Sequence, residues 1–310
     1  MSENTNPLNW TAITLGPRHA SVAQIERRGA ALPQVRFCAS FQKAATDLAT
    51  LKGLRAAIPK RKAVAAMLLN RAEYEIHQVE SPGVPRAELA SAVRWKLQDQ
   101  LDYPAQEACV DVLVVPSDPN RAAEVKQLFA VAARSEIIRE RIHAFHGAKL
   151  PLSVIDIPEL AQRNIAQLYE SDAQTLGLLA FTEEGSLLTF TLGGELLVAR
   201  QFDLTLSQLL DAVKENFEPI MERVALEIQR TYDHVDRRFH FAGVSRVLVS
   251  PLPKGFGVIE YLTANLSIPI QSMELGEVLD LSAVPEARDP LWQTRHLHVM
   301  GAALREQRVT

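Results

Sequence analysis

Two stretches of this chain repeat one pattern: three short apolar runs separated by tight turns. In the first, Trp10–Leu15 leads through Gly16-Pro17-Arg18-His19 to Ala20–Glu26, and then past Arg28-Gly29 to Pro33–Phe41. In the second, Leu176–Phe181 turns at Thr182-Glu183-Glu184-Gly185 into Ser186–Leu192, and Gly193-Gly194 turns it again into Glu195–Phe202. Such runs, bounded by glycine and proline, read as strands, and short glycine-bearing turns join them as antiparallel meanders. A chain that opens two halves alike is expected to build two related lobes. Its 310 residues suffice for two cores, because a single core seldom grows beyond about 250–300 residues. The expected class is α/β with mixed sheets of the α+β kind.

Amphipathic helices follow each meander. Lys43–Ile58 carries Leu48, Leu51 and Leu54 on one side, and Ser135–Gly147 carries Ile138, Ile142 and Phe145, with Ser135 placed to cap it. Leu152–Ile157 reads as a strand, Pro158–Glu170 as a helix, and polar Ser171-Asp172-Ala173-Gln174 as the linker between lobes. In the second half, Leu206–Phe217 and Pro219–Phe239 are helical, the latter with a stripe of Met221, Val224, Ala225, Ile228, Tyr232 and Val235. A strand at Ser245–Pro251, a helix near Gly257–Leu266 and a closing helix ending Met300–Glu306 complete it. Gly301, Ala302 and Ala303 permit close packing in that last helix.

An additional unit interrupts the first half. Met67–Asn70 and Tyr74–Pro82 read as strands, Pro85–Leu101 as a helix with Leu89, Val93, Leu97 and Leu101 on one face, and Cys109–Pro116 as a further strand. The expected division is 10–58 and 117–172 for lobe 1, 59–116 for an inserted subdomain, and 175–306 for lobe 2, with the last helix packing back toward lobe 1.

Apolar residues at 47% and charged residues at 23% describe a globular chain. A net charge of −4 argues against a nucleic-acid surface, and Lys60-Arg61-Lys62 is the one tight basic run. Met1 to Asn9 lacks the apolar centre of a signal peptide. No run approaches the roughly 18 apolar residues that span a bilayer. The expectation is a cytoplasmic protein without direct membrane insertion. Cys38 and Cys109 lie in apolar runs and read as inert core thiols in a reducing compartment.

The order of elements from Met67 to Asp111, with the pair Arg94-Trp95 and the step Tyr103-Pro104, resembles the PilM-like proteins of bacterial type IV pilus assembly. Within them it is most similar to the branch serving mannose-sensitive haemagglutinin (MSHA) pili. Phe129–Arg134, Leu152–Asn164, Glu227–Val235 and Gly301–Arg305 fit the same family. The resemblance implies an actin-like, ribonuclease-H-like two-lobed fold that holds partners at the inner membrane. Chief among these is a bitopic PilN-like protein bound through its cytoplasmic N-terminal peptide, with contact to the pilus assembly ATPase machinery also implied. The chain would then be cytoplasmic and peripheral to the inner membrane.

The resemblance also places three nucleotide loops, and each departs from what the chemistry needs. Thr14 stands where an acidic residue would serve the Mg²⁺ shell, which demands hard oxygen ligands. Gly16 persists and Arg18 can meet an anion, but Pro17 removes a backbone donor and Ser21 replaces a lysine. The second loop, ending at Gly185, carries Glu183 and Glu184 where a phosphate would sit. The third reads Ser250-Pro251 in place of glycines, with Lys254 nearby. These loops read as vestigial, no cofactor is expected, and ATP with Mg²⁺ is disfavoured. No metal site is expected either: His143 and His146 suit a solvated helix face, and His296 and His298, two apart, point in different directions. The expected role is a scaffold without catalytic residues. An ATP-binding or slow ATPase member of the family is one alternative. The other is the L-type cytoplasmic component of a type II secretion platform, less expected because that protein continues into a transmembrane helix. Partner binding is expected at Arg94, Trp95, Tyr103 and Pro104, in a groove between the insertion and lobe 1, because Trp95 lies off the apolar stripe and aromatic side chains anchor interfaces.

Overall fold

The computed structural model describes residues 9–27, 29, 31–59, 63–118, 126–171 and 174–306. The basic run at 60–62 and part of the 171–174 linker lie outside them. The first meander is β1 (Asn9–Leu15), β2 (His19–Glu26) and β3 (Gln34–Gln42), followed by α1 (Asp47–Ala57) and β4 (Ala63–Leu68). The second is β9 (Thr175–Thr182), β10 (Gly185–Leu192) and β11 (Glu195–Phe202). Gly193 and Gly194 take φ of +57° and +73° between β10 and β11, the left-handed pair that a two-residue hairpin turn requires and that glycine adopts without strain.

Each meander becomes three strands of a five-stranded sheet. In lobe 1 the order is β3-β2-β1-β4-β8, where β8 is Leu152–Asp156, with β4 parallel to both β1 and β8. In lobe 2 it is β11-β10-β9-β12-β13, with β12 (Val244–Val249) parallel to β9 and to β13 (Ile270–Ser272). Order and direction match strand for strand, as the repeated opening predicts. Parallel strands need crossovers. α3 (Ser135–Gly147) supplies one in lobe 1; α5 (Leu206–Glu215), α6 (Phe217–Arg238) and α7 (Val258–Asn265) serve lobe 2.

Between the sheets lie α4 (Pro158–Ala166) and α8 (Pro290–Ala303). α8 packs on β1, β2 and β4 of one lobe and on β9 of the other, and it runs against α4. One apolar cluster therefore joins Ala12, Ala23 and Leu68 through Ala161, Ile165, Leu297 and Met300 to Leu178 and Leu248. Separate clusters fill the outer sides of each lobe. Two inward expectations fail at the rim, where Leu48 and Ile142 are exposed. α1 and α3 present only Leu51, Leu54 and Phe145 fully to the core. Ser135 is the first residue of α3, and Arg134 takes the cap position.

The insertion is β5 (Tyr74–Glu80), α2 (Arg86–Lys96), β6 (Ala108–Val114) and β7 (Gln127–Arg134), with sheet order β5-β7-β6. Its extent differs from the expected 59–116. β4 belongs to the five-stranded sheet, and β7 forms the centre of the three-stranded one. Alternation along β7 sets its two faces. Leu128, Ala130 and Ala132 meet Leu89 and Val93 of α2 and its cap residue Leu97, whereas Phe129 joins the lobe 2 cluster and Ala133 the lobe 1 cluster. The helix closes at Lys96 rather than Leu101. Cys109 is exposed, with its sulfur 3.4 Å from Ser135 Oγ. Cys38 is buried as expected.

Candidate interlobe site

The turn between β1 and β2 and the turn between β9 and β10 face each other across a cleft of about 600 Å³, with α8 along one side. Gly16, Arg18 and Gly185 line it together with Thr14 and Ser21. Gly16 donates its N–H to His19 O at 2.9 Å and closes the first turn. Arg18 is exposed. Ser250 and Lys254 are not part of this lining. Ser250 is buried at the end of β12, its N–H donating to Leu179 O at 2.8 Å, and Lys254 is exposed. The third loop reaches the cleft only indirectly, where Thr294 donates to Pro251 O.

The chain's own charges occupy the second turn. Arg71, just after β4, donates its backbone N–H to Glu184 Oε2 at 2.8 Å and its guanidinium to Glu184 O at 3.3 Å. The same guanidinium pairs with Asp203 at 3.0 Å. Gly185 permits this approach: a Cβ there would lie 2.4 Å from Arg71 Nη1, and its φ is +127°. Burial raises the Glu184 carboxyl above its usual range, against the opposing hydrogen bond from Arg71. Glu183 accepts from Ser207 Oγ at 2.6 Å and lies 3.9 Å from Arg295. Thus the second turn holds two carboxylates engaged by a lobe 1 arginine, a serine and an α8 arginine. Repulsion from those carboxylates opposes an incoming anion.

Two histidines of α8 line the same cleft and do point apart. His296 Nδ1 donates to Trp292 O at 2.7 Å, so its Nε2 accepts from Ser40 Oγ at 2.8 Å, and Ser40 in turn lies 2.6 Å from Ser21 Oγ. Its ring stacks on Trp292 at 4.1 Å. His298 Nε2 donates to Gln162 Oε1 at 2.9 Å, and Gln162 Nε2 donates to Leu178 O at 2.6 Å and Thr189 Oγ1 at 2.9 Å. Burial lowers both imidazole pKa values, that of His298 to about 4. Both rings are neutral near pH 7 and serve as hydrogen-bond links between lobes. Among the described residues no group of three or more His, Cys, Asp or Glu is placed to hold a metal.

Arg71, Ser40 and Arg295 line the cleft although no local motif marks them, and His296 and His298, considered from the sequence only as metal ligands, line it as well.

The four expected partner contacts lie on the insertion, outside this cleft. Tyr103 is buried, with the Arg134 guanidinium 4.1 Å above its ring and burial raising its phenol to about 12. Trp95 is 51% exposed, with the Arg94 guanidinium 5.9 Å from its ring centre. Pro104 is exposed. Because α2 covers the face of the small sheet opposite to that packed on the lobes, Trp95 faces outward.

Residues 41–186 match the family profile described as type IV pilus assembly protein PilM. No curated protein matches the sequence significantly. Among solved structures, the chain is similar to the PilM-PilN type IV pilus biogenesis complex, at 17% identity and TM-score 0.76 over 96% of this chain and 98% of that one. It also resembles a protein of Bacteroides thetaiotaomicron with actin-like ATPase fold and unknown function, at 9% identity and TM-score 0.50 over 98% of each. The cytoplasmic domain of EpsL, an inner membrane component of the type II secretion system of Vibrio cholerae, aligns at 12% identity and TM-score 0.48 over 79% of this chain and 84% of that one. The chain thus has the actin-like two-lobed fold, and from residue 41 to 186 it is PilM-like.

Proposed function

We propose that the protein is a scaffold of a type IV pilus assembly platform, of the MshI type that serves MSHA pili, and that it does not hydrolyse ATP. The observation that carries this reading is the occupied second turn, where Arg71 of lobe 1 clasps Glu184 of lobe 2. A nucleotide phosphate there would have to displace that contact and face two carboxylates, with Thr14 offering no anionic ligand to a magnesium ion. The partner is a PilN-like inner-membrane protein with a short cytoplasmic tail, which holds the chain at the membrane surface. Among the described residues no helix is long and apolar enough to cross a bilayer, so membrane association comes through that partner. The profile match and the likeness to the PilM-PilN complex support this choice.

Two measurements test it. Mg-ATP at a hundred times its Kd would stabilise a binding protein by about 2.7 kcal/mol; the expected thermal shift is none, with no magnesium-dependent phosphate release. A shift of that size, lost on Arg18→Ala, would overturn the cleft reading. In a pull-down, the purified chain should retain the cytoplasmic tail of a PilN-like protein. Trp95→Ala should weaken capture roughly tenfold, as loss of an exposed aromatic anchor does. Undiminished capture would assign Trp95 no part in it.

A further inference from the structure

A second depression, of about 890 Å³, runs between the insertion and lobe 2. Its walls are Tyr74–Gln78 of β5 and Leu197–Gln201 of β11, five consecutive residues from each. Side chains alternate across a strand, so a wall made of consecutive residues is the strand's edge. β5 and β11 are both end strands of their sheets.

The register shows which groups β11 offers. Thr182 and Gly185 flank a two-residue turn and so form a hydrogen-bonded pair. Alternation then makes Ser186↔Phe202, Leu188↔Arg200 and Phe190↔Val198 the hydrogen-bonded pairs across to β11. Ala199 and Gln201 therefore direct their N–H and C=O away from β10, where among the described residues no other strand pairs with them. An open edge of this kind is a template for another strand.

Arg200, Arg230 and Arg237 line the lobe 2 side together with Asp233. Arg200 and Arg230 share Glu227 at 3.8 and 3.5 Å, both arginines more than half exposed, and Arg237 donates to a backbone carbonyl, Asp233 O, at 3.0 Å. Arg200 and Arg237, with Arg238, hold the His234 imidazole low, after burial. The carboxylates are already engaged: Glu75 with His77 at 3.0 Å, Asp233 with Gln229 at 2.8 Å, and Glu159 with Tyr74 at 2.7 Å.

We infer that this groove binds an extended, acidic peptide segment of a partner protein, which adds as a strand to the free edge of β11 with its carboxylates toward Arg200, Arg230 and Arg237. This goes beyond the scaffold reading, since it concerns a second surface that shares Gln201 with the cleft but does not include Trp95.

The test uses the full chain and a short fluorescein-labelled peptide of alternating valine and glutamate, followed by fluorescence anisotropy. Binding should be saturable, weakened by salt, and absent for the valine–lysine counterpart. N-methylation of alternate peptide amides should abolish it, because strand addition needs those donors. Arg200→Glu and Arg237→Glu should each weaken binding by roughly tenfold. Ala199→Pro should do the same by removing one outward N–H on an edge strand, where proline is tolerated. Trp95→Ala should leave it unchanged. Circular dichroism melts identify any variant that fails to fold, and the N-methylated probe needs no variant at all. No saturable binding, equal binding of the lysine peptide, or indifference to N-methylation would overturn the proposal.

Discussion

Gly301→Val is expected to destabilise the protein by about 3 kcal/mol, the upper end for overpacking a filled core. Gly301 lies on α8 where it crosses α4, and a Cβ there would sit 2.1 Å from Ala161 O and 2.7 Å from Ala161 C. Those atoms are backbone and cannot rotate aside. Asn164 Nδ2 also donates to Gly301 O at 3.0 Å, which fixes the approach of the two helices from the other side. Any retreat of α8 would open the cluster joining Ala12 and Leu68 to Leu178 and Leu248, so the strain falls on both lobes at once. Thermal and urea melts of the purified variant give the measurement. A loss below about 1 kcal/mol would mean that α8 slides on α4 more freely than this packing allows.

The second large effect is acid instability centred on His298. Its imidazole titrates near 6.5 when unfolded and about 4 in the fold. In that window the unfolded chain binds more protons, so stability rises with pH and is lost as pH falls. This contribution is therefore complete above pH 6.5 and declines toward pH 4, at up to about 1.4 kcal/mol per pH unit. His296 shifts in the same direction and adds to the effect. Glu159 and Glu184 work against it, since burial raises their pKa and protonation relieves them as pH falls. Comparing wild type with His298→Gln removes those shared terms. The variant should be less stable at pH 7, because Gln162 loses its donor, yet its stability should fall less steeply between pH 6.5 and 4. Parallel pH–stability curves for the two proteins would refute the assignment.

Much of the fold was legible locally. Gly193-Gly194 and the apolar runs around Thr182–Gly185 specify hairpins through turn geometry and alternation alone. The face of α2 bearing Leu89 and Val93, continued by its cap Leu97, follows from helical period. β7 shows the limit: its run from Gln127 to Arg134 suits either sheet, because alternation records two faces but not the strand that will lie alongside. Hence the insertion was expected to end before a strand that forms its centre. Helical period places Trp95 off the apolar stripe, as its exposure bears out, but only packing shows which side of the small sheet α2 covers.

The sequence alone therefore determined a duplicated meander, two lobes and the helices that cover them, since turn chemistry and apolar periodicity act over a few neighbouring residues. It also placed Thr14 and the pair Glu183-Glu184 in two of the turns that come to face each other. What fills the cleft between them was decided by tertiary structure. Arg71 reaches Glu184 across 113 positions, and Ser40 reaches His296 across 256. Contacts of that separation form when two sheets close on shared helices, and nothing in the local pattern around Arg71 or His296 distinguishes them from surface residues. The same holds for the edge of β11, beside which no other strand lies among the described residues.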